Sequence, residues 1–323
     1  MPAASAAAAL LLSTSLAASG PPLVLRLHDP ALVESSGLAV SGQHQGIVWT
    51  HPDGGTAAQV MAVDRRGDTV ATVTLDGIDP YDPEALAPGT DGRGRSVLFL
   101  GDIGDNEESR PDVSVFRFVE PRSLGDRTVP ARWFRFTYPD GPHDAEALLV
   151  DPATGRLLIA TKSFGDAGLY RAPGRLVTED VGVNRLERVA DVPPLVTDGA
   201  FLPDGRFVLR TYADVHVYDR PGHELEVAPL PPQPQGESVA AEGDDALLVG
   251  SEGEDSAVYR VPVPGGASAV GAEGVAGGGA GGDASRTARG DESGWRTAYL
   301  VVRAVAIVVI LVGIVAVLRR RRR

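Results

Sequence analysis

Cysteine is absent from the chain. That excludes disulfides, thiolate zinc sites, iron–sulfur clusters and cysteine nucleophiles. A folded domain without cross-links must be held by its core, and so must exceed mini-protein size. Lysine is nearly absent too: Lys162 stands alone among 30 basic residues, the rest being arginine. With abundant Ala, Gly and Pro, this reads as a GC-rich coding bias. No Gly-x-Ser-x-Gly elbow, HExxH pair or P-loop is present, which removes the common signatures of serine hydrolases, zinc proteases and nucleotide-binding enzymes. Acids are missing after Glu292, where Arg296, Arg303 and Arg319 to Arg323 supply seven positive charges. The preceding residues therefore carry −20 against −13 for the whole chain. Such a domain repels nucleic acid and anionic lipid, suits cations and stays soluble.

The two ends set an expected topology. Residues 1–20 (MPAASAAAALLLSTSLAASG) have a short apolar core ending in small residues, the pattern of a secretory signal peptide, without its usual basic start. Residues 265–294 are Gly-rich, lack an apolar period and read as a disordered linker with a reach of roughly 30 Å. Residues 295–318 read as one transmembrane helix. Ala304 to Leu318 is unbroken apolar sequence, and extension back to Ala298 gives about 31 Å of helix. Trp295 and Tyr299 suit the outer interface, and the arginines at 319–323 form a polybasic tail that fixes the C-terminus in the cytoplasm. The expected localisation is the cell membrane, single-pass, with residues 21–264 outside as a monomer and the C-terminal helix as membrane partner.

Gly and Pro are plentiful, at 39 and 25 residues, and punctuate short hydrophobic runs. One unit recurs: a polar lead-in, a small residue, an anchor hydrophobe, then a turn and a second hydrophobic strand. The anchors are Leu38, Leu86, Leu148, Phe201 and Val239, spaced by 48, 62, 53 and 38 residues. These are lengths of β-propeller blades. Third strands follow in every unit and fourth strands in three, at 69–75, 132–138 and 186–189. The last unit is short, and the orphan strand Leu23 to Leu27 would supply its outer strand and close the ring. The fold expected is all-β: a propeller of five four-stranded blades, or six if two units are merged, plus one C-terminal transmembrane helix. The alternative is an irregular sandwich.

Inner strands of a propeller line its central channel, so polar residues at their starts converge on one mouth. Here these include Glu34, Asp82, Glu84, Asp144, Glu146, Asp198 and Glu237. Second strands end near His51, Asp102, Lys162, Thr211 and Glu252. So many carboxylates near one axis repel unless protonated or bridged by a cation, and hard oxygen ligands favour calcium or magnesium. Candidate metal ligands are Glu34, Glu84, Asp102, Asp105, Asn106, Glu146 and Glu237. Candidate ligand-binding residues are His51, Lys162, Arg210 and Glu252. Equally, each acid alone could cap a turn. The acidic turn Gly101 to Glu108 resembles part of a calcium loop and equally an Asx-stabilised blade loop. A carboxylate pair for glycoside cleavage is not picked out by any spacing.

Four segments resemble secreted bacterial propellers of the esterase-like phytase and SdiA-regulated groups: Glu34-Ser35-Ser36-Gly37-Leu38, Asp82-Pro83-Glu84-Ala85-Leu86, Gly101-Asp102-Ile103-Gly104-Asp105-Asn106 and Tyr138 to Ala147. The resemblance covers roughly residues 23–264. It implies calcium-linked acidic sites and phosphoester hydrolysis. Two function classes follow. One is an extracellular module that binds an unidentified ligand or protein, with a structural divalent cation. The other is a calcium-dependent phosphoester hydrolase, which would need cationic phosphate holders such as Lys162 and Arg210 besides its metal.

Overall fold

The computed structural model describes residues 21–53 and 57–265. The proposed signal peptide, linker, membrane helix and basic tail lie outside these residues. Among the described residues no helix is long and apolar enough to cross a membrane.

The chain opens with β1 (Leu23–Leu27). Blade 1 follows as β2 (Ser35–Val40), β3 (Val48–Pro52), β4 (Gln59–Val63) and β5 (Thr69–Leu75). Blade 2 holds β6 (Pro83–Thr90), β7 (Ser96–Asp102), β8 (Val113–Val119) and β10 (Arg132–Thr137), with β9 (Arg127–Val129) between the last two in sequence. Blade 3 holds β11 (Ala145–Val150), β12 (Leu157–Thr161), β13 (Gly168–Arg171) and β15 (Glu187–Asp191), preceded by β14 (Val183–Arg185). Blade 4 is β16 (Val196–Phe201), β17 (Phe207–Thr211), β18 (Asp214–Arg220) and β19 (His223–Pro229). Blade 5 is β20 (Gly236–Ala241), β21 (Ala246–Ser251) and β22 (Ser256–Pro262). Each blade is an antiparallel meander, and β1 completes blade 5 by pairing with β22. The inner strands neighbour one another in the cyclic order β2, β6, β11, β16, β20 and back to β2.

This is a five-bladed propeller closed by its N-terminal strand, and six blades are excluded. The expectation of four strands per blade needs correction. Blades 1 and 2 have five, because β9 pairs parallel to β5 and β14 parallel to β10. The chain leaves one blade, touches the outer edge of the preceding blade and returns. These detours fall in the units with the two longest spacings, 62 and 53 residues, and account for their length.

The core consists of five hydrophobic clusters, one at each joint between neighbouring blades. Trp49, Val60, Leu98 and Phe116 fill the joint of blades 1 and 2. Phe99, Leu148, Ile159 and Tyr170 fill that of blades 2 and 3. Leu149, Leu158, Phe207 and Leu209 fill the next, Val208, Val239 and Leu247 the fourth, and Leu25, Leu38, Leu248 and Val258 the last. Successive inner-strand residues serve opposite joints: Leu148 faces blade 2 and Leu149 faces blade 4. Covered on both faces, such strands read as continuous apolar runs rather than alternating ones. The closure adds polar contacts: Arg26 donates to the Asp255 carbonyl at 2.9 Å, and His28 Nδ1 lies 2.7 Å from Asp255 Oδ1. Inner strands approach closely at Gly37, where a Cβ would sit 2.3 Å from Leu86 N, so only glycine fits.

Candidate functional site at the channel mouth

Each of the five inner strands carries a register shift at its first residues. Pairing jumps between Ser35 and Leu38, Pro83 and Ala85, Ala145 and Ala147, Val196 and Asp198, and Gly236 and Val239. A bulge of this kind inserts an unpaired residue and re-aims its side chain. The residues left over are Ser36 with Gly37, Glu84, Glu146, Thr197, and Glu237 with Ser238. Three of the five blades thus spend their bulge on a glutamate, and all three are buried.

Burial and mutual repulsion govern these acids. Burial first, then the charges of Glu146, Asp53 and Asp82, push the Glu84 carboxyl well above the usual range. Glu146 is raised likewise by burial, against the relief that Lys162 supplies. Burial also raises Glu237, with Lys162, Gln235 and Arg210 opposing. Glu252 is pushed up to about 8 by burial and by Glu237, Asp53 and Glu34. Asp82 and Asp144 rise mainly through burial. Carboxylate oxygens of Asp53, Asp82 and Glu84 lie within 4.8 Å of one another. Ser36 Oγ donates to the Glu84 carbonyl at 2.6 Å. Glu146 bonds Lys162 through Oε1, while its Oε2 is buried and has no hydrogen-bond partner. Gln235 Nε2 donates to Glu237 Oε1 at 3.0 Å and Glu252 Oε2 at 2.6 Å.

Of the residues expected at the mouth, Glu84, Glu146, Glu237, Lys162 and Glu252 do meet there. Glu34 is exposed at its edge, within electrostatic reach of Glu252. Others are engaged in holding the fold. His51 is buried, its Nε2 accepts from Gly37 N at 3.1 Å, and its Nδ1 lies 3.1 Å from the Pro52 carbonyl. Burial pulls its pKa down to about 4, so the ring is neutral and braces the blade 1 bulge. Arg210 is fully buried and donates to the carbonyls of Ser238 and Gly250 at 2.6 and 2.8 Å and to Gln233 Oε1 at 2.6 Å. It ties blade 4 to blade 5. Asp102 pairs with Arg110 at 3.0 Å and accepts from Asp82 N at 2.9 Å. Asp105 accepts from the amides of Ser109 and Arg110, folding its own turn. Asn106 is exposed, its side chain near the Asp82 carboxylate.

Asp53 and Tyr212 join the mouth unexpectedly. The same backbone bond recurs in three blades: Asp53 N to Glu34 O, Lys162 N to Asp144 O, and Glu252 N to Gln235 O. In blades 1, 3, 4 and 5 the mouth-facing position is therefore the residue just after the last paired residue of the second strand, whereas in blade 2 that residue is Ile103, buried in the joint with blade 3. That position holds Asp53 rather than His51 and Tyr212 rather than Thr211. An alignment by this register, rather than by the ends of hydrophobic runs, would find both.

No protein-family model matches the chain, and no curated protein does. Among solved structures, it is similar to a gluconolactonase from Xanthomonas campestris at 14% identity, over 74% of this chain and 89% of that one, with a TM-score of 0.46. It is similar to a luciferin-regenerating enzyme at 13% identity, over 72% and 78%, with a TM-score of 0.44. A PQQ-bound aldose sugar dehydrogenase from Streptomyces coelicolor matches at 12% identity, over 74% and 98%, with a TM-score of 0.40. The five-bladed ring stands on its own sheet topology. These proteins do not single out the phytase or SdiA-regulated grouping.

Proposed function

We propose that this protein is a membrane-tethered, extracellular propeller that binds a divalent cation at its channel mouth and, through that mouth, a ligand or partner outside the cell. The observation that carries the reading is the convergence of the Asp53, Asp82 and Glu84 carboxylates, all within 4.8 Å of one another. It gains weight from the adjoining Glu146, whose buried Oε2 has no partner. An all-oxygen, multiply charged donor set fits calcium or magnesium and not a soft metal. Asp53, Asp82 and Glu84 would hold the ion. Once bound, it would offset their repulsion and present open coordination positions to an oxygen-bearing ligand.

The hydrolase reading has less support. Beside this many acids a phosphate needs unclaimed cations. Lys162 is paired with Glu146, Arg110 with Asp102, and Arg210 is bound to backbone carbonyls and Gln233. Calorimetric titration of the full-length protein in detergent with calcium, followed by assay of a generic phosphoester, tests both. Calcium binding without turnover is the expected result. No binding removes the cation, and turnover lost in Glu84→Gln favours the hydrolase.

A further inference from the structure

Lys162 is the sole lysine of a chain that otherwise uses arginine for every basic residue. It stands at the hub, where the acids are densest. Guanidinium and ammonium are not interchangeable: the first is a planar fork, the second a compact point charge with three donors, closer in shape to a small cation. Its surroundings suit a cation of that shape. Ring order places Glu146, Thr197 and Glu237 at the bulges of three consecutive inner strands, β11, β16 and β20. Lys162 Nζ bonds Glu146 Oε1 and lies 5.3 Å from the centre of the Tyr212 ring. Glu146 Oε2 is buried with no partner, and so is Thr197 Oγ1 at the bulge of the next inner strand. The ammonium thus bonds one oxygen of Glu146 and leaves the other unsatisfied.

We propose that the mouth contains two cation positions. One is the Asp53, Asp82 and Glu84 cluster, open to an exogenous ion. The other, formed by Glu146, Thr197 and Glu237, is filled permanently by the tethered ammonium of Lys162. Removal of that ammonium converts the second position into a divalent-cation site. The alternative role for a buried lysine, a nucleophilic amine, requires the neutral form. Lys162 Nζ bonds Glu146 and lies over the Tyr212 ring, partners that suit an ammonium and leave no free amine poised to attack.

The inference deepens the cation reading of the mouth but fails separately from it. The test is calorimetric titration of the full-length protein with calcium chloride, for wild type, Lys162→Met and Lys162→Arg, with melting curves in chelator and in calcium. Lys162→Met is expected to bind one calcium equivalent more than wild type, and Lys162→Arg no more than wild type. Should wild type bind none and Lys162→Met bind one, the tethered ammonium stands and the Asp53 site falls. Should both bind one, the Asp53 site stands and the tethered ammonium falls. If Lys162→Met is unfolded in chelator, folding restored by millimolar calcium supports the proposal, and a variant unfolded in both conditions overturns it.

Discussion

Neutralising Glu84 should separate the two things its carboxylate does. In the cation-free protein its charge is buried beside Glu146, Asp53 and Asp82, and both burial and repulsion oppose ionisation. A carboxyl whose folded pKa lies above its unfolded value costs stability once the pH exceeds the unfolded value, since the unfolded chain then ionises more readily. Near pH 7, Glu84→Gln should therefore melt no lower than wild type in chelator, and above it if the amide oxygen keeps the 3.3 Å bond that Ser36 Oγ donates to Glu84 Oε2. With calcium the order should reverse. At free calcium a hundredfold above the dissociation constant, mass action adds about 2.7 kcal/mol to the wild type. In a domain of this size each kcal/mol raises Tm by about 2–4 °C, so the gain is roughly 5–11 °C. The variant, lacking a charged donor, should show a much smaller gain. Differential scanning calorimetry of both proteins in chelator and in calcium reads all four values. A variant that melts several degrees lower in chelator yet keeps the full calcium gain would refute the reasoning.

Further outcomes follow from the same geometry. His51 has a folded pKa near 4 against about 6.5 unfolded, so the unfolded state takes up the proton first and stability should fall as the pH drops from 6.5 to 4. The full effect is about 3 kcal/mol. The raised carboxyls have the opposite slope, so the reading is the difference between urea denaturation of wild type and His51→Gln at pH 7 and pH 4.5. An unchanged difference would contradict it. Leu27→Ala removes a buried side chain from the strand that closes the ring and should cost about 2–5 kcal/mol. Limited proteolysis should then cut first near residues 21–28, and a stable, uncut variant would speak against the clasp. Gly37→Ala should destabilise by at least 1–3 kcal/mol, because its new methyl must displace blade 2 backbone at Leu86; a wild-type Tm would show that the inner strands are not so close.

The parts of the fold legible in the sequence are those buried on both faces. Val97 to Leu100 and Leu157 to Ala160 are continuous apolar runs because each lies between two neighbouring blades, and Leu23 to Leu27 stood out as a strand without a partner in its own unit. The outer edge was not legible. β19 reads His-Glu-Leu-Glu-Val-Ala-Pro, with every residue but Ala228 exposed, so it carries no apolar signal. The three-residue strands β9 and β14 owe their existence to a neighbouring blade's edge. At the mouth, acids such as Glu84, Glu146 and Glu237 were visible as residues that open inner strands. The bulges were not, and a bulge shifts register by a residue. That shift is why the ends of the hydrophobic runs point to His51 and Thr211 rather than to Asp53 and Tyr212. Arg210 looked like a ligand-binding residue because its partners, the Ser238 and Gly250 carbonyls, belong to a distant part of the chain.

The most direct test is an anomalous difference map from crystals of the protein grown with manganese as a calcium surrogate. A peak within about 2.5 Å of oxygens from Asp53, Asp82 and Glu84 is the expected result. A map with no peak at the channel mouth, or with one confined to the rim of the propeller, would contradict the cation-centred account.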